Sequence, residues 1–189
     1  ILNKIIPLIY RRILSIKNSK IIVQNPSDKY ELEKISKKSL KNIYLIPGSG
    51  VDMNFFKRKY PKKNFSNKPK ILYPARLIKE KGFQELIDAC YELWNNDYIF
   101  ELLIAGYLDK GNNSCISKLE FKKIALDKNI ICLGHTNNMK DLYESVDLVV
   151  LPSWREGLSK SLIEAGSMEC PIITTDVPGC KDIIDNEKN

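Results

Sequence analysis

The chain has 189 residues, with 30 Lys/Arg, 23 Asp/Glu and one His, for a formal charge of +7. With 43 % hydrophobic residues and nine each of Gly and Pro, it is neither disordered nor collagen-like, and it is long enough for one domain with a sizeable core. The charge is split: residues 1–70 carry 17 Lys/Arg against 4 Asp/Glu, and the remainder 13 against 19, which implies a local basic patch facing phosphate, an anionic membrane or plain solvent rather than a uniformly basic nucleic-acid binder.

The first segment, IIPLIYRRIL, has a helical pattern. Pro7, Arg11 and Arg12 make it too short and too charged to span a bilayer, and it lacks a signal peptide's cleavage pattern. With no initiator Met and no closing helix after DIIDNEKN, the chain reads as a piece of a longer protein. Residues 1–19 are expected to be a helix or linker to a further domain, and residues 20–189 a domain truncated at its C-terminus. Ile21 to Val23 form a short strand, Asn25-Pro26 a turn, and Ser27 or Asp28 the cap of the next helix. KNIYLIPGSGVD is a strand entering a glycine loop, and MNFFKRKYPKKNFSNKPK a polar, basic surface connection.

From Lys70 the alternation is regular. The strands KILYPAR, YIFELLIAG, NIICLGH, DLVVLPS and PIITTD are interleaved with the helices KGFQELIDACYELWNN, ISKLEFKKIALDK, NMKDLYESV and LSKSLIEAGSM, and VPGCKDII opens one more helix. The near-continuous apolar strands predict an α/β fold: a Rossmann-like open parallel sheet with helices on both faces. Five scattered cysteines, Cys90, Cys115, Cys132, Cys170 and Cys180, with no CxxC, fit a reduced cytoplasmic compartment.

Such sheets bind ligands beyond the carboxyl ends of their strands. The loops expected there hold Gly48 and Gly50, Arg76, Lys79, Lys81 and Gly82, Gly106, Gly134 and His135, Ser153 to Glu156, and Asp176 to Gly179. IPGSGVD fits neither a Walker loop nor GxGxxG, so its glycines either admit a ligand or facing domain, or make a tight turn. Arg76, Lys79 and Lys81 at a helix start suit a diphosphate clamp, with a solvated charged loop as the alternative. His135 has no Cys or carboxylate partners for zinc and reads as a structural or base-contacting loop residue. Ser161 lacks a GxSxG setting, and Asp176 either orients a ligand or caps a helix. No DxD motif is present, so no tightly bound metal is expected, and base-reading nucleic-acid motifs are missing. Glu156 falls in a loop and Glu164 in the second turn of the helix after it. Both can approach one ligand, where a carboxylate suits vicinal sugar hydroxyls, or at least one is plainly solvated.

Taken together, NIYLIPGSGVDMNFF, ILYPARLIKEKGFQELIDA, ELLIAG, ICLGH and DLYESVDLVVLPSWREGLSKSLIEAGSMECPIITTDVPG resemble the C-terminal domain of GT-B glycosyltransferases, specifically the retaining, nucleotide-sugar-dependent family 4, or group 1. Glu156 and Glu164 match that family's E-x7-E pattern. The resemblance implies a hexosyltransferase whose donor, a UDP-hexose or UDP-N-acetylhexosamine, is bound here. Arg76 and Lys81 would hold the diphosphate, Glu164 the ribose, and Glu156 the donor sugar. The backbone of Gly157, Leu158 and Ser159 would meet sugar or phosphate. Gly106 and Tyr107, with Gly134, His135 and Thr136, would border the base, and Gly48 and Gly50 would lie at an interdomain cleft.

The acceptor, a glycan or lipid-linked saccharide of a bacterial surface polysaccharide pathway, would bind through an N-terminal domain outside this chain. The fragment alone is therefore expected to bind donor weakly and transfer nothing. Attachment to the inner face of the plasma membrane, a sugar-nucleotide epimerase on the same fold, and a non-catalytic nucleotide-sugar or nucleic-acid module stay as alternatives. One departure is EAGSMECP, where Gly166 and Glu169 stand in place of the usual Met and Gly.

Overall fold

The computed structural model describes residues 2–16, 18–36, 42–60 and 67–184. In chain order the elements are α1 (Leu2–Leu14), β1 (Ile21–Val23), α2 (Pro26–Ser36), β2 (Ile43–Leu45), β3 (Lys70–Tyr73), a 3-10 turn (Lys79–Lys81), α3 (Phe83–Asn95), β4 (Glu101–Ile104), α4 (Lys118–Ile124), β5 (Ile130–Cys132), α5 (Met139–Ser145), β6 (Leu148–Leu151), α6 (Lys160–Ser167) and β7 (Ile172–Thr174).

Among the described residues the strands form two sheets rather than one. β1 and β2 pair in parallel across α2 as a separate unit, and the other five strands run in the order β5-β4-β3-β6-β7, all parallel. The apolar runs of β3, β4 and β6 are buried because helices cover both faces. In α3, Phe83, Leu86, Ile87 and Cys90 recur at helical spacing and face this core. The chain runs from β3 outward to β5 and then returns to β6 on the other side of β3. The loops after β3 and β6 therefore leave a switch point, where such sheets leave a crevice for a ligand.

Three local expectations change. Asn25, not Ser27 or Asp28, caps α2: its side-chain oxygen accepts from the Asp28 N–H at 2.7 Å, and Pro26 takes the first helical position, where no N–H is needed. The described part of the 53–70 connection is docked rather than loose. Phe56 packs on the core. Buried Arg58 donates to the carbonyls of Met168 (2.8 Å), Tyr143 (3.0 Å) and Glu144 (3.1 Å), so part of the basic N-terminal charge is consumed internally. The expected last helix is a run of turns up to Ile183, with bonds such as Cys180 N–H to the Val177 carbonyl at 3.1 Å. Residues 185–189 lie outside the described residues.

Gly82 joins the two loops at the switch point. Its φ is +67°, and a Cβ there would lie 1.9 Å from the Pro152 carbonyl oxygen. At the end of α6, Glu169 occupies the left-handed position (φ 55°) of a Schellman closure. Cys170 N–H bonds to the Ala165 carbonyl and Glu169 N–H to that of Gly166, both at 3.0 Å. The same position is the one where the resembled family carries glycine. Gly82→Ala should therefore lose about 2–5 kcal/mol from combined left-handed strain and overpacking. Glu169→Gly should gain about 0.5 kcal/mol, strain relief outweighing added chain entropy. Urea unfolding midpoints of the two variants, moving in opposite directions, check both.

Candidate functional site

The loop after β3 is shaped by a buried phenol. The Tyr73 hydroxyl lies 3.2 Å from the Lys81 carbonyl and 3.3 Å from that of Arg76, tying both ends of the cationic loop to the strand. Burial, then the charges of Glu156 and Glu85, push this phenol well above its ordinary range, so it remains a donor. Gly106, after β4, lets the β3 loop pass: a Cβ there would sit 1.9 Å from the Ala75 carbonyl oxygen.

The loop after β6 is held by its backbone. Glu156 N–H bonds to the Pro178 carbonyl and Ser159 N–H to that of Gly179, each at 3.1 Å. Ser159 starts α6 as its N-cap residue. Leu162 and Ala165 of α6 are fully buried against the sheet, and Glu164 is carried to the ligand edge.

Two clusters result. In the first, Lys81 Nζ and Ser153 Oγ both donate to Glu156 Oε1, the serine at 2.8 Å. The lysine and glutamate side chains are only 19 % and 11 % exposed, so the loops after β3 and β6 share a largely buried ion pair. The second is a cleft of about 280 Å³ lined by Arg76, Gly106, Tyr107, His135, Thr136 and Glu164, together with Tyr143, Lys160 and Ser161. Glu164 is 8 % exposed. Its Oε2 accepts from the Tyr143 hydroxyl at 3.2 Å, and Lys160 Nζ lies 3.7 Å from Oε1. Burial raises the Glu164 carboxyl above the usual carboxylate range, against the opposing pull of Lys160 and Tyr143. Arg76 rests on Asp109 at 2.7 Å, and Tyr107 meets His135 edge-on with ring centres 5.6 Å apart.

The structure thus gathers Arg76, Gly106, Tyr107, His135, Thr136 and Glu164 into one cleft and couples Lys81 to Glu156 beside it. Gly157, Leu158 and Gly48 sit elsewhere. They form a seam with the β1–α2–β2 unit, where Asn25 donates to the Gly157 carbonyl at 2.8 Å and Gly48 packs on Leu158. Gly50 and Gly134 face open space. Asp176 is exposed and paired with Lys181 at 3.4 Å rather than capping a helix. Sequence reasoning placed Ser153 at the ligand edge without a role and missed Tyr73, Tyr143 and Asp109, because the tyrosines read as core and the aspartate as loop polarity. Among the described residues, no three of His, Cys, Asp and Glu gather as metal ligands.

Residues 55–189 match the family described as glycosyl transferases group 1. The chain is 31 % identical over 136 residues to the capsular polysaccharide biosynthesis glycosyltransferase CapM of Staphylococcus aureus, a match covering 72 % of this chain and 35 % of CapM. It spans about a third of the length of such known relatives. Its fold is similar to a glycosyltransferase from Rickettsia africae, with a TM-score of 0.76 and 23 % identity over 95 % of this chain and 50 % of that one. It is similar also to Anabaena Alr3699/HepE, in a crystal structure containing UDP-glucose, with a TM-score of 0.72 and 18 % identity over 89 % and 48 %. A family match over more than half of the chain, on a sheet whose switch point carries the two glutamates and their cationic partners, means that this protein belongs to the glycosyl transferases group 1 family.

Proposed function

We propose that the chain supplies the donor site of an enzyme that transfers a hexosyl or N-acetylhexosaminyl unit from a UDP-sugar, with retention, to a glycan or lipid-linked acceptor. The observation that carries this reading is the buried Glu164 carboxylate facing a cleft that ends at Arg76, with the Lys81–Glu156 pair alongside. Glu164 accepts the ribose hydroxyls, and Tyr107 and His135 border the base. Arg76 and Lys81 take the diphosphate and stabilise the charge that grows as the nucleotide departs. Neither cation need abandon its carboxylate: an ammonium has three donors and a guanidinium five. Glu156, already bonded to Lys81 and Ser153, positions and supports the donor sugar rather than attacking it.

The UDP-glucose in the Anabaena structure and the capsular role in CapM's name support the donor class and a polysaccharide setting. No helix among the described residues is long and apolar enough to cross a membrane. We place the enzyme in the cytoplasm, working at the inner face of the plasma membrane.

Calorimetry with UDP and uridine tests the site. Glu164→Ala should weaken both ligands about tenfold or more, the loss expected for a charge-assisted hydrogen bond. Arg76→Ala should weaken UDP by a similar factor and leave uridine unchanged. Equal UDP affinity in wild type and both variants would overturn the assignment.

The raised Glu164 carboxyl makes a separate prediction. Between its unfolded and its higher folded pKa the native state binds more protons, so this group's contribution to stability falls as pH rises through that window. Glu164→Gln should therefore raise the thermal midpoint at neutral pH while weakening UDP. The stability gain should vanish below the ordinary carboxylate range, as a melting series in pH will show.

A further inference from the structure

A second cleft, of about 640 Å³, lies between α2 and the loop after β6; its lining residues Trp154 and Arg155 directly precede Glu156, whose backbone N–H bonds to the carbonyl of a third, Pro178, at 3.1 Å. Its volume falls in the range of roughly 300–1,000 Å³ typical of small-molecule sites. The lining is aromatic and charged: Tyr30, Glu31 and Pro26 from α2, and Trp154, Arg155 and Pro178 from the core unit. Tyr30 is 63 % exposed and Trp154 54 %, so both rings present area to the cleft.

Both walls are held in place. The Trp154 indole N–H donates to Glu85 Oε1 at 2.8 Å, and its backbone N–H to the Glu80 carbonyl at 2.9 Å, which fixes the ring while leaving a face open. Arg155 is paired with Asp28 of α2, spanning the two walls. Asn25, at the start of α2, ties that helix to the Gly157 carbonyl. A ring anchored through its N–H and open on its face presents flat apolar area at little entropic cost. Glu31 and Arg155 add polar groups that accept and donate at the edge of the same cleft. That combination matches a pyranose ring, which has an apolar C–H face and a rim of hydroxyls. A lipid tail would leave the charges unmatched, and a diphosphate would face Glu31.

We propose that Tyr30 and Trp154 form a saccharide platform that holds a sugar unit of the acceptor glycan next to Glu156. The saccharide site stands on the cleft itself. Only the word "acceptor" rests on the donor assignment above, since the platform adjoins the residue given to the donor sugar there. The platform would then set which glycan end reaches the reacting carbon, and its aromatic walls favour the less polar faces of hexoses and N-acetylhexosamines.

The test is titration of the chain with two probes, maltohexaose and tetra-N-acetylchitotetraose, read by saturation-transfer NMR and by tryptophan fluorescence, with UDP calorimetry in parallel. At least one oligosaccharide should bind. Tyr30→Ala and Trp154→Ala should each weaken it about tenfold, while UDP affinity changes less than about twofold, which also reports that both variants are folded. No binding of either probe, or binding that both variants retain, overturns the platform. Loss of UDP binding in Glu164→Ala with oligosaccharide binding retained would show the two sites to be independent, and failure of UDP to bind wild type would sink the donor reading without touching this one.

Discussion

Lys81 and Glu156 are 75 positions apart in sequence, yet they share a largely buried ion pair because β3 and β6 are neighbours at the sheet's switch point. Placing two charges where water is scarce has a desolvation cost that their attraction alone does not reliably offset. Here the surroundings share the load: Ser153 gives Glu156 a second donor, Tyr73 holds the Lys81 backbone, and Gly82 lets the loop rest on the Pro152 carbonyl. Removing one partner would leave the other charged and buried. The pair is better understood as a means of keeping a cation and a carboxylate at fixed separation beside the cleft than as a source of stability.

Glu164 shows the same trade in another form. A buried carboxylate on α6, beside the face filled by Leu162 and Ala165, opposes folding, and burial raises its pKa accordingly. Tyr143 and Lys160 relieve it only in part. A ligand that donates hydroxyl protons to Glu164 would supply what the protein withholds, so the group is poised to bind more strongly than an exposed glutamate would. The same burial keeps the Tyr143 phenol protonated, so the donor that orients Glu164 persists across physiological pH.

The order and type of elements from β3 to β7 were legible because each strand is a short apolar run and each helix repeats its apolar residues at helical spacing. Arg76, Lys81, Glu156 and Glu164 were legible as polar groups at strand ends. What periodicity could not give was pairing. Nothing in KIIVQNPS or IYLIPG distinguishes strands of the main sheet from a separate β1–β2 pair, since pairing depends on contacts far along the chain. Tyr73, Tyr143 and Arg58 were hidden for a related reason: each reads as ordinary core or ordinary surface until its hydrogen-bond partners, up to 112 positions away, are in view. Asn25 was misread locally, as a turn residue, because the turn and the helix cap favour the same amino acid.

The seam between the β1–α2–β2 unit and the loop after β6 bears on how such a site can move. Its contacts include the bonds of Asn25 to the Gly157 carbonyl and of Arg155 to Asp28, and the close packing of Gly48 on Leu158. Of the β2 residues, Ile43 is buried, while Tyr44 and Leu45 are exposed. Polar seams with little buried apolar area open at lower cost than packed cores. The five-stranded unit, whose β3, β4 and β6 are largely buried, backs the cleft at Glu164 with a packed core. Opening therefore costs less at the seam than within that core, and the loop carrying Glu156 is the element both sides share.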